Sequence, residues 1–239
     1  MRGANQASVG KVLIMKRTLL GCGIVAGPLF IATSLTQAFT RRGFDLAQHP
    51  ISLLSLGSLG WVQIANFVIS GVLYVVGAVG LRLSLQDGRG RTWGPLLVGL
   101  TGSGLIIAGV FTADPGAGFP PGAPAGAPTM SWHGLLHEIG FMLSFIGAIA
   151  MCVVLARRYA ALGRRSWMVA ALAAAAAALI AAGWPDLNTL SVRLVIATAI
   201  LFGFVTAAFI QVLRQGSSCQ HLGTEYGAGI LISQSGGRS

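Results

Sequence analysis

The chain has 239 residues, of which 54% are hydrophobic and only 9% are charged, and its formal net charge is +10. Soluble domains carry about a quarter charged residues because water must wet their surfaces, so this composition excludes a soluble globular domain and indicates an integral membrane protein. The basic residues are scattered rather than gathered on one stripe with aromatic residues, which argues against nucleic acid and leaves membrane lipids as the expected partners.

Six apolar stretches are long enough to cross a bilayer, which takes about 20 residues in a helix. The sequence therefore predicts an all-α fold, a six-helix transmembrane bundle. An N-terminal segment, residues 1–17, precedes it, and a tail over 214–239, rich in Gly, Ser and Gln, is predicted to be disordered. The predicted spans are residues 18–39, 61–83, 93–112, 131–155, 167–184 and 189–213.

The distribution of basic residues predicts the orientation of this bundle. All but Arg41, Arg42 and Arg193 of the 16 lysines and arginines lie in the N-terminal segment, the even-numbered connections or the tail. Short cytoplasmic connections collect Lys and Arg, so both termini are predicted to be cytoplasmic in the inner (plasma) membrane of a bacterial-type cell. The odd-numbered connections, which hold most of the acidic and histidine residues, then face outward.

The first outward connection and the second span carry two sets of polar side chains. Asp45 and His49 precede Pro50 and a Leu-rich segment with Ser52 and Ser55, which predicts a short interfacial helix. In the second span, polar residues recur at i, i+3, i+7 and i+11 and form one stripe that must face protein or water. Interhelical hydrogen bonding is the favoured interpretation, and the wall of a cavity is the alternative. The stripe consists of Gln63, Asn66, Ser70 and Tyr74.

Small residues predict close helix packing in three of the spans. The first and third spans contain several glycines, including Gly21, Gly102 and Gly104, and the fifth is dominated by alanine. Such residues let helix backbones approach each other. The weakly hydrophobic fifth span is therefore expected to pack inside the bundle rather than to face lipid.

The third connection begins at Asp114 and carries several prolines, which predicts an irregular loop or lid. His133 and His137 follow it, four residues apart on one face of the fourth span, with Glu138 about 100° round the helix. Helical zinc sites use this His spacing. A hydrogen-bonded structural cluster, a zinc or other metal site, and a proton or substrate relay are the interpretations left open. Further along the chain, Asp186 lies close in sequence to Arg193, and Arg193 is expected to form a structural ion pair with a nearby carboxylate.

The order of these polar residues resembles the family of multipass membrane proteins called domain of unknown function 998. The resemblance rests on Asp45, His49-Pro50-Ile51-Ser52, Asp114-Pro115 and His133…His137-Glu138, and it covers about residues 18–213. It implies the six-span topology and no activity. The spacing of His133 and His137 is also similar to that in the alkaline ceramidase and adiponectin-receptor group of intramembrane hydrolases, which implies zinc, with His49, Asp114 and Ser52 as stand-ins. That group has seven spans and this pair on the last one, so the sequence departs from its pattern.

These residues together predict a polar His/carboxylate pocket that opens outward beneath the third connection. The expected function is the binding or sensing of a small ligand, a lipid headgroup or a metal. A zinc-dependent intramembrane hydrolase of lipid amides or esters is one alternative, and a transporter or a structural partner subunit is another. The sequence contains no Walker loop, Rossmann fingerprint or GxSxG elbow, and it does not decide whether the protein is an enzyme.

Overall fold

The computed structural model describes residues 2–85, 88 and 90–235 of the chain. Within these residues, six helices are long and apolar enough to cross a membrane, which confirms the predicted all-α, multipass fold. Two short 3-10 helices, Ile51–Ser55 and Leu187–Thr189, lie in the connections. The long helices are α1 (Arg2–Thr40), α2 (Gly60–Ser84), α3 (Trp93–Val110), α4 (Trp132–Ala161), α5 (Arg165–Gly183) and α6 (Leu190–Ser235).

The first and last helices extend beyond the spans predicted from hydropathy. The backbone of α1 is helical from Arg2, and that of α6 continues to Ser235 through most of the stretch predicted to be a disordered tail. Neither extension contains a proline, so nothing in the sequence interrupts the i→i−4 hydrogen bonds. Residues 236–239 of the predicted tail lie outside the described residues.

The helices form a closed ring in which each packs against the next and α6 returns to α1. One end of the bundle is formed by the last turns of α1, α3 and α5 and the first turns of α2, α4 and α6. We call it the histidine end, because His49, His133 and His137 lie there. The opposite end carries Arg158 and Arg164 and is called the arginine end. The core between the ends is built from apolar and aromatic side chains, among them Phe30, Tyr74, Leu201 and Phe202.

Glycines bring α3 into backbone contact with both of its neighbours. A Cβ atom on Gly102 would lie 2.5 Å from the carbonyl oxygen of Gly71 in α2. A Cβ on Gly104 would lie equally close, 2.5 Å, to the carbonyl oxygen of Gly140 in α4. Gly21, which the sequence analysis grouped with them, has open space around the position of its Cβ. Two of these glycines therefore fix the position of the helix that ends beneath the candidate site.

The alanine-rich α5 does not pack inside the bundle as predicted. Only 22% of its most apolar stretch is buried, against 50% for α2, α3 and α4. Its small residues form one inward stripe at helical spacing, so α5 approaches closely on that side, while Val169, Leu172, Leu179 and Ile180 on its other side are exposed. The inward stripe consists of Ala171, Ala174, Ala175 and Ala178.

Gly102→Ala is expected to lower the free energy of unfolding by about 1–3 kcal/mol, because the new methyl group would overlap a backbone oxygen that cannot rotate away. Gly21→Ala is the matched control and should be neutral or stabilising by up to about 1 kcal/mol, since it improves helix propensity in open space. Thermal unfolding in detergent micelles measures both. Equal melting temperatures for the two variants would contradict the α2–α3 contact.

Candidate functional site

The first and third connections of the chain pack together over the histidine end. We call them the cap and define it as residues 41–59 and 111–131. The cap has a small apolar core in which Leu53, Ala113 and Phe119 are buried. Phe44 lies edge-on to Phe119 with 5.3 Å between the ring centroids. The two connections thus form one folded unit rather than separate loops.

His49 ties the two halves of the cap together. Its Nδ1 accepts a hydrogen bond from the backbone N–H of Asp45 at 2.8 Å, and its Nε2 lies 2.9 Å from the carbonyl oxygen of Ala117. Since a carbonyl only accepts, Nε2 carries the hydrogen. Both ring nitrogens are used and the side chain is buried, so this histidine is placed as a structural link.

Arg41 and Asp45, two charged residues close to His49 in the sequence, form their hydrogen bonds within the cap. The Arg41 guanidinium donates to the carbonyl oxygens of Leu54, at 2.7 Å, and Leu56. Burial lowers the pKa of Arg41 from its ordinary value. The exposed carboxylate of Asp45 accepts from the backbone N–H of Ala47 at 2.9 Å. Neither charge points into a site shared with His137.

Asp114 anchors the third connection to the start of α4. Its carboxylate accepts hydrogen bonds from the Oγ and the backbone N–H of Ser131, both at 2.6 Å. Ser131 is the N-cap of α4 and accepts from the N–H of Gly134 at 3.1 Å. The hydrogen bonds from the side chain and then the backbone of Ser131 lower the pKa of Asp114. The carboxylate is therefore part of a helix cap.

His137 is buried in α4 and binds the end of α3. Its Nδ1 lies 2.8 Å from the carbonyl oxygen of Ala108 and 2.9 Å from that of Phe111. Because both partners only accept, Nδ1 carries the hydrogen, and Nε2 of the neutral ring keeps a free lone pair. The bond satisfies carbonyl groups that the end of a helix leaves without an intrahelical partner. The edge of the ring also meets Phe67, 5.9 Å away.

The other two residues of the predicted cluster do not converge on His137. His133 is exposed, and its ring lies against Trp132 with 3.5 Å between centroids. Glu138 is also exposed. Among the residues that the structure describes, no group of three His, Cys, Asp or Glu side chains is arranged to hold a metal ion. His133 and His137 thus have the spacing of a helical zinc site, but no third ligand completes a metal site with them among the described residues.

Arg193 and Asp186 form a separate cluster at the end of α5. Arg193 donates to the carbonyl oxygens of Ala181 at 2.6 Å and Trp184 at 3.0 Å, and also to that of Asp186. It caps the C-terminal end of a helix, where cations are favoured, instead of pairing with a carboxylate as expected. The Asp186 carboxylate accepts from the Asn188 N–H; this bond and that from the Thr189 hydroxyl lower its pKa.

The polar stripe of α2 faces α1. The Oε1 of Gln63 accepts from Gln37 at 2.7 Å, and Asn66 donates to the Oγ of Ser34 at 3.1 Å. Ser70 donates to Asn66 at 3.4 Å. These contacts form an interhelical network. The hydroxyl of Tyr74, deeper in the bundle, is buried and has no hydrogen-bond partner among the described residues.

A cavity of about 270 Å³ lies beneath the cap, between α4 and α6. We call it the inner chamber. Its floor and walls are mostly apolar and include Phe30, Phe67, Phe145 and Phe202. The polar side chains that reach it are Ser52, His137, Glu138, Ser144, Ser191 and Thr198. His137 is thus one of a few polar side chains in a mostly apolar cavity.

The depth of the inner chamber follows from the positions of its lining residues along α4. His137 lies about 7.5 Å from Trp132 along the helix axis, and Ser144 about 18 Å, at 1.5 Å per residue. The hydrocarbon core of a bilayer is about 30 Å thick. Measured from Trp132 along α4, the chamber therefore reaches a depth of a little over half that thickness.

Sequence reasoning identified His137, Glu138 and Ser52 but missed the residues that give the chamber its shape. Phe30 and Phe202 lie in spans that are apolar all round, where no pattern separates a cavity wall from a lipid-facing side chain. A weak signal existed for Ser144, which is seven residues after His137 and so on the same helix face. Ser191 and Thr198 have the same spacing on α6.

Asp114→Asn is expected to lower the melting temperature, because it removes the charge from two hydrogen bonds that hold the α4 cap, each worth about 1.5–3 kcal/mol. Because the pKa of Asp114 is lowered in the folded state, the ionised carboxylate stabilises the fold fully above about pH 3.9, the ordinary pKa of Asp. This stabilisation is lost as pH falls through the lower folded-state pKa. Thermal unfolding across this range should show the wild type converging on the variant at acid pH. A constant difference would contradict the assignment.

Comparison with known proteins places the chain in a family. The model of the family described as "Protein of unknown function (DUF998)" matches residues 24–231, which include α2 to α5 in full, α1 from residue 24 onward and α6 up to residue 231. No curated protein and no solved structure matches, and the similarity to the alkaline ceramidase and adiponectin-receptor group is not shown. The chain belongs to the DUF998 family of multipass membrane proteins.

Proposed function

We propose that this protein binds a lipid-like amphipathic ligand in the inner chamber, with the chamber facing the outside of a bacterial-type plasma membrane. The observation that carries the proposal is the state of His137. Its Nδ1 is fixed by two carbonyl oxygens at the end of α3, which leaves Nε2 of the neutral ring free to accept a hydrogen bond, and the side chain lines a mostly apolar chamber. A ligand with a hydrogen-bond donor and an apolar chain satisfies both features.

The shape and chemistry of the chamber favour such a ligand over a small polar solute. Binding sites are mostly apolar cavities with a few placed polar groups. Here the polar groups, among them His137, Ser144 and Ser191, are outnumbered by apolar side chains such as Phe145 and Leu201. A soluble metabolite would leave most of this lining without a matching group.

The alternatives receive less support from the described residues. A zinc hydrolase needs about three protein ligands, and no such group is gathered in the part of the chain that the structure describes. Transport through the bundle would require polar groups that continue toward the arginine end, but the polar stripe of α2 is engaged by α1. We therefore favour binding or sensing.

Dodecanol serves as the probe, because it joins one hydroxyl donor to an apolar chain. His137→Asn is expected to fold normally and to bind dodecanol about tenfold more weakly. In asparagine the amide nitrogen is bonded to Cγ, as Nδ1 is in histidine, so the donor to α3 is kept while Nε2 is lost. One lost hydrogen bond of about 1.4 kcal/mol corresponds to this factor. Native mass spectrometry of the protein released from nanodiscs measures the bound fraction.

A second pair of variants tests the chamber independently of the histidine. Ser144→Leu fills part of the inner chamber and should abolish binding of dodecanol. Ser103→Leu makes the same change at an exposed, lipid-facing position of α3 and should leave binding unchanged. Binding that is equal in both variants, or absent from the wild type, would overturn the proposed function.

A further inference from the structure

A second cavity, of about 240 Å³, lies inside the cap and meets the inner chamber. We call it the outer chamber. It is lined by residues of both connections, including Leu53, Ala117 and Pro128. Three residues, Pro50, Ser52 and Glu138, line both cavities, so the two chambers share a boundary. The site is therefore larger than the inner chamber alone and has a compartment on each side of these residues.

The charges on the walls of the two chambers have one sign. Asp114 lines the outer chamber and Glu138 lines both. No lysine or arginine is found among the described residues that line either chamber. Two of the three arginines at the histidine end bind backbone carbonyls elsewhere, Arg41 in the cap and Arg193 at the end of α5. The third, Arg42, is exposed and lines neither chamber. An anionic group at the shared boundary would meet carboxylates without a compensating cation.

The polar groups around the boundary also favour one kind of hydrogen-bonding partner. At the boundary the Glu138 carboxylate accepts when ionised, and in the adjoining inner chamber Nε2 of a neutral His137 accepts. Ser52, which lines both chambers, can donate or accept. A headgroup that donates hydrogen bonds therefore finds more partners here than one that only accepts them. Phosphate and carboxylate headgroups carry acceptors and negative charge and would be disfavoured on both counts.

We propose that the ligand is a single-chain amphiphile with an uncharged or cationic headgroup that donates hydrogen bonds. Its chain occupies the inner chamber, its headgroup donates to Nε2 of His137 and to Glu138, and any larger headgroup extends into the outer chamber. A single chain is favoured because the inner chamber, at about 270 Å³, lies below the usual range of about 300–1,000 Å³ for ligand pockets. This inference rests on the proposed function and adds the chemistry of the headgroup.

The test compares three compounds that share one alkyl chain: dodecanol, dodecylamine and dodecyl phosphate. Each is incubated with the full-length protein in nanodiscs, and the bound fraction is measured by native mass spectrometry. The wild type is expected to bind dodecanol and dodecylamine at least about tenfold more tightly than dodecyl phosphate, as expected for one unfavourable charge contact in a partly buried site.

Charge reversal at the boundary gives the sharper comparison. Glu138 is exposed, so Glu138→Lys should fold, and it is expected to shift the preference by about tenfold or more toward dodecyl phosphate. Ala47→Lys introduces a lysine at an exposed position of the cap that lines neither chamber, without removing a side-chain hydrogen bond, and should not alter the preference.

The outcomes separate the two levels of the proposal. Failure of all three compounds to bind the wild type would overturn the proposed function and this inference with it. Dodecyl phosphate that binds the wild type as tightly as dodecanol, and is lost in Ser144→Leu, would keep the binding function and overturn the headgroup chemistry. An unchanged preference in Glu138→Lys would also overturn it.

Discussion

The hydrogen bonds from Nδ1 of His137 to the end of α3 determine how the rest of the site is arranged. Within the bilayer, carbonyl groups at a helix end find no water, and an unsatisfied group is costly. A histidine in α4 satisfies the oxygens of Ala108 and Phe111 and so holds two adjacent helices in register. The same bonds select the tautomer, which gives the ring its acceptor on the side away from α3.

The third connection is consequently held to α4 at two successive points. Phe111 at its start binds His137, and Asp114 binds the N-cap residue Ser131. From there the chain passes over the bundle and meets the first connection through the contact of His49 with Ala117. The cap is thus held at both of its edges by hydrogen bonds that satisfy backbone groups at helix ends. The chambers are the space that remains between the cap and the helices.

Much of the fold was predictable because its causes are local in sequence. Hydropathy predicted six apolar spans, and the described residues form six helices that are long and apolar enough to cross a membrane. The helical period predicted the α2 stripe whose Gln63 and Asn66 contact α1. The packing predicted for the fifth span was wrong, because alanine content gives helix propensity and side-chain size but not the side of the helix that faces its neighbours. The helical backbone of α6 continues to Ser235, although the polar composition of that stretch predicts disorder.

The candidate site was only partly predictable, because its residues are given their roles by partners far away in the chain. Spacing placed His133 and His137 on one face, yet one is exposed and the other buried. What separates them is the end of α3, which the sequence does not position against α4. Arg193 similarly had carboxylates nearby in sequence, but the carbonyl oxygens at the end of α5 are nearer in space.

The most direct test is the tautomeric state of His137, measured by nitrogen-15 NMR of ring-labelled histidine in lipid bilayers, with His137→Asn used for assignment. We expect the hydrogen on Nδ1 and an unprotonated Nε2 whose resonance shifts when dodecanol is added. A hydrogen on Nε2, or an Nε2 resonance that dodecanol leaves unchanged, would contradict the role assigned to His137.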